Sequence, residues 1–219
     1  MSASYFDVDG TLVKTNLLHP TLYYLRNQGT PLKTAKRLGS ALLKAPQMAL
    51  AELRDRRLFN ELLYSAYSGM SEDRIEVLSA EVFDEVLKPN LYPFAVDLVN
   101  QARRAGHRIV LISGALDPVL RHLGAYLGAD DIIGNRLELK DRVATGKILK
   151  PIVAGPTKAL LIRKHAREHQ FDLDDCYGFS DSYSDVPMLS VVGHPAAVNP
   201  DKKLARLARA YDWPTMHLS

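Results

Sequence analysis

Three apolar runs in this chain each end in a cluster of polar residues, and the stretches between them carry helical periodicity. The first run is Tyr5-Phe6-Asp7-Val8-Asp9-Gly10-Thr11-Leu12-Val13. Short β-prone residues lead into two carboxylates two positions apart, so Asp7 and Asp9 are expected at the C-terminal end of a buried strand, pointing the same way. Gly10 then lets the backbone turn aside. The second run, Arg108-Ile109-Val110-Leu111-Ile112, has the continuous apolar character of a parallel strand covered on both faces, and it ends in Ser113-Gly114. The third, Cys176 to Phe179, runs into Ser180-Asp181-Ser182-Tyr183-Ser184-Asp185. Strands alternating with helices predict an α/β fold with a doubly wound, mostly parallel sheet. In such a sheet ligands bind beyond the C-terminal strand ends, where all three polar clusters fall.

Close carboxylates repel unless a cation or a shared proton intervenes. A hard divalent cation such as Mg²⁺ suits Asp7 and Asp9, because it takes oxygen ligands and tolerates phosphate beside them.

From Leu17 to about Leu87 the pattern is helical throughout. Leu17, Leu18, Leu22 and Leu25 recur at helical spacing, Leu32 to Leu53 trace a long apolar face, and Ser71 opens a helix expected to reach Val86. This stretch reads as a helical cap domain, residues 15–88, inserted into a core domain made of residues 1–14 and 89–219. Further on, Asp117-Pro118 reads as an N-cap followed by a proline at the first helical position. Ile132 to Leu139 reads as a short strand and hairpin with Gly146-Lys147-Ile148 on the other arm, and Gly155-Pro156-Thr157-Lys158 opens a helix.

Bulk properties narrow the function classes. The 219 residues are 47% hydrophobic and 24% charged, enough for a sizeable core. A net charge of +3 argues against a nucleic-acid binder that works through bulk charge. The single cysteine, Cys176, excludes an internal disulfide and a cysteine-based zinc site and is expected to be a small buried residue. No apolar run approaches a membrane span, and the first strand begins too early for a signal peptide, so a cytoplasmic protein is expected. The oligomeric state is left open.

Asp7-Val8-Asp9-Gly10-Thr11, then Ser113-Gly114, then Lys158 at a helix start, then the Asp181/Asp185 loop resemble the four-motif set of the haloacid dehalogenase superfamily. The resemblance covers essentially the whole chain. The helical insertion resembles the C1-type cap of that superfamily, and Gly193 to Pro200 is similar to its phosphoserine-phosphatase-like IB branch. The resemblance implies a Mg²⁺-dependent phosphomonoesterase acting through an aspartyl-phosphate. It implies Asp7 as nucleophile and Asp9 as general acid and base. Thr11, Ser113, Gly114 and Lys158 would bind the phosphoryl group together with Asp7. Asp7, Asp181 and the backbone carbonyl of Asp9 would hold the metal, and Asp185 would orient Lys158 or a metal-bound water. An acid at position 9 also favours phosphate over carbon–halogen chemistry. A catalytically idle phospho-ligand or partner-binding module is the rival reading, and a phosphomutase is a third.

Two departures bear on the substrate. Phosphoserine phosphatases carry a glutamate shortly after the first motif, where this chain has Asn16, and an arginine in the cap, which the stretch Asn60-Glu61-Leu62-Leu63-Tyr64 lacks. Phosphoserine is therefore not expected, and the substrate is expected to be another small phosphorylated metabolite or a lysolipid phosphate. Between residues 31 and 57 stand Lys33, Lys36, Arg37, Lys44, Arg54, Arg56 and Arg57 against only Glu52 and Asp55. This basic segment is either a solvated helix face or a peripheral contact with an anionic membrane. The seven histidines show no metal-ligand spacing; His165 and His169 are expected on a solvated helix face, and Trp213 is expected to be a packing anchor.

Overall fold

The computed structural model describes residues 2–27, 39, 46–48, 50–51 and 55–218. At its centre is β1 (Ala3–Phe6), whose four residues are all buried. β2 (Arg108–Leu116) pairs with it in parallel on one side. β3 (Asp131–Asn135) adds beyond β2. A two-stranded antiparallel hairpin, β4 (Leu137–Lys140) and β5 (Val143–Ile148), stands outside this sheet. β6 (Tyr177–Ser180) pairs with the other side of β1, followed by β7 (His194–Val198) and β8 (Thr215–Met216). The sheet order is β3-β2-β1-β6-β7-β8, with every pairing parallel. The chain thus builds outward from β1 in one direction and then in the other. The switch between β1 and β6 leaves a crevice at their C-terminal ends.

Alternation along the strands supplies two separate cores. Phe6, Ile109, Leu111, Phe179 and Ala196 face α4 (Ala95–Arg104) and α5 (Asp117–Leu127). Tyr5, Val110, Ile112 and Ala197 face α6 (Pro156–Glu168), the short α7 (Val186–Leu189) and α8 (Lys202–Ala210). Phe6 and Phe179, register partners on adjacent strands, stack with ring centroids 4.5 Å apart. Cys176 and the ring of Trp213 pack in the second core, in keeping with their expected roles.

Between β1 and α4 the helices among the described residues are α1 (Leu18–Arg26), α2 (Arg56–Tyr64) and α3 (Glu72–Val82), together with residues 39, 46–48, 50 and 51. The starts of α2 and α3 follow from local capping. The Asp55 carboxylate accepts the Arg57 amide, and the Ser71 hydroxyl accepts the Arg74 amide. Tyr24, Leu63, Tyr64, Tyr67, Leu78 and Val82 share one apolar cluster with Phe6 and Leu12, so this helical segment packs on the strand-end side of the sheet.

Three local expectations are corrected. The helix from Ser71 gives way at Val82 to a π-turn over Phe83–Leu87. Residues 131–135 add to the main sheet, and the hairpin begins only at Leu137. Asp117 is already helical, with Leu116 at the cap position. Its carboxylate pairs with Arg121 one turn on, an interaction the helix itself offers.

Candidate active site

The loop after β1 turns back on itself: the amides of Leu12 and Val13 both donate to the Val8 carbonyl, at 2.9 and 3.1 Å. Gly10 takes φ +80°, and a β-carbon there would stand 2.1 Å from Asp181 Oδ2. Only glycine therefore allows the loop after β6 to close on the loop after β1. Asp7 is buried, and its two oxygens are held separately. Lys158 Nζ donates to Oδ1 at 2.6 Å, and Thr11 Oγ1 donates to Oδ2 at 2.9 Å. Lys158, also buried in the first turn of α6, donates to Asp185 Oδ2 at 2.6 Å, and that oxygen takes a further bond from Ser180 Oγ at 2.8 Å. Asp185 and Asp7 thus share the Lys158 ammonium. Thr11 Oγ1 accepts the Asp181 amide at 3.0 Å and lies 3.3 Å from Asp181 Oδ1. Its hydroxyl joins the β1 and β6 loops.

Asp9 lies beside this cluster. Ser113 Oγ donates to Asp9 Oδ2 at 3.1 Å and accepts the Ala115 amide at 2.9 Å, so its hydroxyl too is spoken for. Gly114 lines the crevice directly. Its carbonyl accepts Tyr64 Oη from α2 at 2.7 Å and Asn135 Nδ2 from the end of β3 at 2.8 Å.

Burial governs the electrostatics. It pushes Asp9 up to about 7, with the Asp7 charge adding to the shift. It pushes Asp181 up to about 8, again reinforced by Asp7 and then Asp185. Asp7 is also pushed up by burial, with Lys158 working against the rise. Burial works to discharge Lys158, but Asp185 and Asp7 outweigh it and hold the ammonium above its ordinary range. Among the described residues four carboxylates line the crevice, Asp7, Asp9, Asp181 and Asp185, with two cations, Lys158 and Arg56. Converging carboxylate oxygens are the ligands a hard divalent cation takes, so the donor set fits Mg²⁺ at Asp7 and Asp181.

A family model of haloacid dehalogenase-like hydrolases matches residues 5–190. The chain belongs to this family. Among its relatives is the "Inhibition of morphological differentiation protein" of Streptomyces azureus, 32% identical over 221 residues, 98% of this chain and 78% of the relative. A phosphoserine phosphatase of Mycobacterium tuberculosis is 32% identical over 145 residues, 66% of this chain and 47% of that protein. A crystal structure of a Bordetella pertussis protein of unknown function superposes with a TM-score of 0.84 at 23% identity, covering 100% of this chain and 99% of that one. At that identity the likeness concerns the fold.

The family's motif positions thus come together here, and the crevice adds residues the sequence did not announce. Arg56, the first residue of α2, and Asn60, one turn later, both line it. The stretch 60–64 holds no arginine, yet Arg56 stands four residues before Asn60 on the same helix face. Asn60 is 1% exposed and its Oδ1 has no hydrogen-bond partner among the described residues. Asn16, by contrast, is exposed just before α1, and its Oδ1 accepts the Leu18 amide at 3.1 Å. Of the basic segment, Lys33, Lys36, Arg37, Lys44 and Arg54 lie outside the described residues. Arg57 pairs with Asp55 at 2.8 Å. Among the described residues no helix is long and apolar enough to cross a membrane.

The expectation for His165 is corrected, while His169 is exposed as expected. His165 is 8% exposed, and its ring lies between the Tyr5 hydroxyl, 3.0 Å from Nδ1, and Asp131 Oδ2, 3.1 Å from Nε2. Spacing of four along a helix reveals that two histidines share a face, but not that a strand edge meets that face.

Proposed function

We propose that this hydrolase is a Mg²⁺-dependent phosphomonoesterase that works through an aspartyl-phosphate on Asp7. The observation that carries the proposal is the pairing of two unlike carboxylates at one strand end. Asp7 is charge-paired to Lys158, and Asp9, pushed up to about 7, retains a proton near neutrality. Separated environments of this kind assign a nucleophile and an acid.

An Asp7 oxygen attacks phosphorus, the bond from phosphorus to the ester oxygen breaks, and the Asp9 proton passes to that leaving oxygen. Water then attacks phosphorus, Asp9 takes its proton, and inorganic phosphate leaves with the Asp7 carboxylate restored. Lys158 keeps positive charge beside the transferred group, and the Asp185 and Ser180 bonds fix where that charge stands. Bound at Asp7 and Asp181, Mg²⁺ would supply further charge neutralisation for the phosphoryl oxygens.

The crevice is narrow, with a cavity volume of about 30 Å³, roughly the space of one water molecule. Arg56 offers a cation to a second anionic group on the substrate, and Asn60 Oδ1 offers an acceptor to a donor. Arg56 returns phosphorylated amino acids to the candidates, although Asn16 supplies no head-group carboxylate. The deciding experiment is a hydrolysis screen of phosphorylated amino acids, phosphorylated sugars and lysophosphatidate, with Mg²⁺ or chelator. Release of phosphate from a compact monoester, lost in chelator and in Asp7→Asn, supports the reading. Preference for lysophosphatidate replaces the metabolite with a lipid, and full activity in chelator or in Asp7→Asn overturns the mechanism.

A further inference from the structure

At the edge of the molecule where β2 and β3 begin, the far end of the sheet from the catalytic crevice, a second group of ligand-bearing side chains converges. α6 carries Lys158 in its first turn and His165 near its last. At 1.5 Å per residue these lie about 10 Å apart along the helix. His169 caps the same helix, and its ring centroid is 4.4 Å from that of His165. Asp131, the first residue of β3, reaches the pair from the sheet, with Oδ2 3.1 Å from His165 Nε2. One ligand atom each from Asp131, His165 and His169 lie within 4.8 Å of one another.

We propose that Asp131, His165 and His169 form a second metal site, selective for Zn²⁺ or a similar transition-metal ion over Mg²⁺. Two imidazole nitrogens and one carboxylate oxygen are a borderline donor set that favours such ions, whereas Mg²⁺ prefers oxygen alone. The site has the supports that ligating histidines need. The Tyr5 hydroxyl at His165 Nδ1 fixes the ring from behind. His169 is exposed and opens the cluster to entry from solvent. The rings of His169 and Phe171 stack at 5.5 Å, which orients the outer ligand.

Without metal, the two contacts of His165 suit the Nε2–H form, which donates to Asp131 and accepts from Tyr5. Metal on Nε2 moves that proton to Nδ1, where it donates to Tyr5 Oη, so the ring loses no net proton. Asp131 is also held by Arg108, through Nε to Oδ2 and through Nη2 to Oδ1 at 3.2 Å. The metal therefore competes with a guanidinium for Oδ2, while Oδ1 stays with Arg108. Filled, the site ties the C-terminal end of α6 to the edge of the sheet, without contact with the catalytic carboxylates.

The test is calorimetric titration of Zn²⁺ into the full chain in millimolar Mg²⁺, which competes for the catalytic carboxylates. One equivalent should bind, with a rise in melting temperature. His169→Ala changes an exposed ring and should weaken binding at least tenfold and abolish the rise, with Mg²⁺-dependent hydrolysis unchanged. Tyr5→Phe removes no ligand and should also weaken binding, by about 10–100-fold. Co²⁺ bound in place of Zn²⁺ should show visible absorption bands that His169→Ala loses. No Zn²⁺ binding, or binding of equal strength in His169→Ala, overturns the proposal.

Discussion

The carboxylate of Asp181 fills the space that a side chain on Gly10 would need, with Oδ2 2.1 Å from the position of a β-carbon. Two loops separated by most of the chain are thus closed on each other through a missing atom. Gly10→Ala should displace Asp181 and strain a residue at φ +80°. The expected cost is about 1–2 kcal/mol of stability, together with a marked rise in the Mg²⁺ concentration needed for half-maximal activity. Urea unfolding and a Mg²⁺ titration of turnover measure the two effects. A variant with an unchanged Mg²⁺ requirement would show that Asp181 does not hold the metal.

Lys158 is the buried counter-ion of both Asp7 and Asp185, with each side chain at most 7% exposed. Lys158→Met leaves two buried carboxylates without their cation. A loss of about 3–5 kcal/mol of stability is expected, as for other broken buried pairs. The loss should shrink on acidification. Burial already raises Asp7 above its unfolded value, and removing Lys158 takes away what opposes that rise. The folded variant then binds more protons than the unfolded chain, so its stability improves as pH falls through the raised folded value towards 3.8 and worsens as pH rises. Denaturant curves at pH 5 and pH 8 distinguish this from a packing defect, which would cost the same at both.

In the proposed mechanism Asp9 acts as acid only while protonated. With its carboxyl pushed up to about 7, kcat/KM should fall as pH rises above that value. A bound divalent cation favours the carboxylate and moves this limb to lower pH. Asp9→Asn should keep its fold, lose turnover by roughly 10²–10⁴-fold, and lose the limb. A pH–rate profile on both proteins settles the point, and survival of the limb in the variant would assign it to another group.

Tyr64 connects α2 to the Ser113-Gly114 loop through its hydroxyl, 2.7 Å from the Gly114 carbonyl. Tyr64→Phe leaves that carbonyl bonded to Asn135, so no buried acceptor is orphaned. A modest loss of about 0.5–1.5 kcal/mol is expected. Because α2 also carries Arg56 and Asn60, KM should rise several-fold while kcat changes little. Steady-state kinetics check this, and a fall in kcat alone would place Tyr64 in the chemistry instead of in substrate placement.

The alternation of apolar strand runs with helical periodicity, the proline and glycine punctuation, and the Asp, Ser and Lys residues after strand ends were all legible in the chain. These are local properties: side-chain period, turn chemistry and capping act over a few residues, and a parallel sheet then gathers its C-terminal strand ends by topology. What the tertiary structure alone decided depends on which distant surfaces meet. The Thr11 and Ser113 hydroxyls turn to Asp7 and Asp9 because burial demands partners for those carboxylates. Arg56 reaches the crevice because α2 packs over the strand ends, which the periodicity of a helix does not specify. His165 leaves solvent for Tyr5 and Asp131 because β1 and β3 run beneath the end of α6. Residues 131–135 join the sheet because the edge of β2 offers unpaired backbone groups there, and backbone pairing is blind to the side chains that a sequence displays.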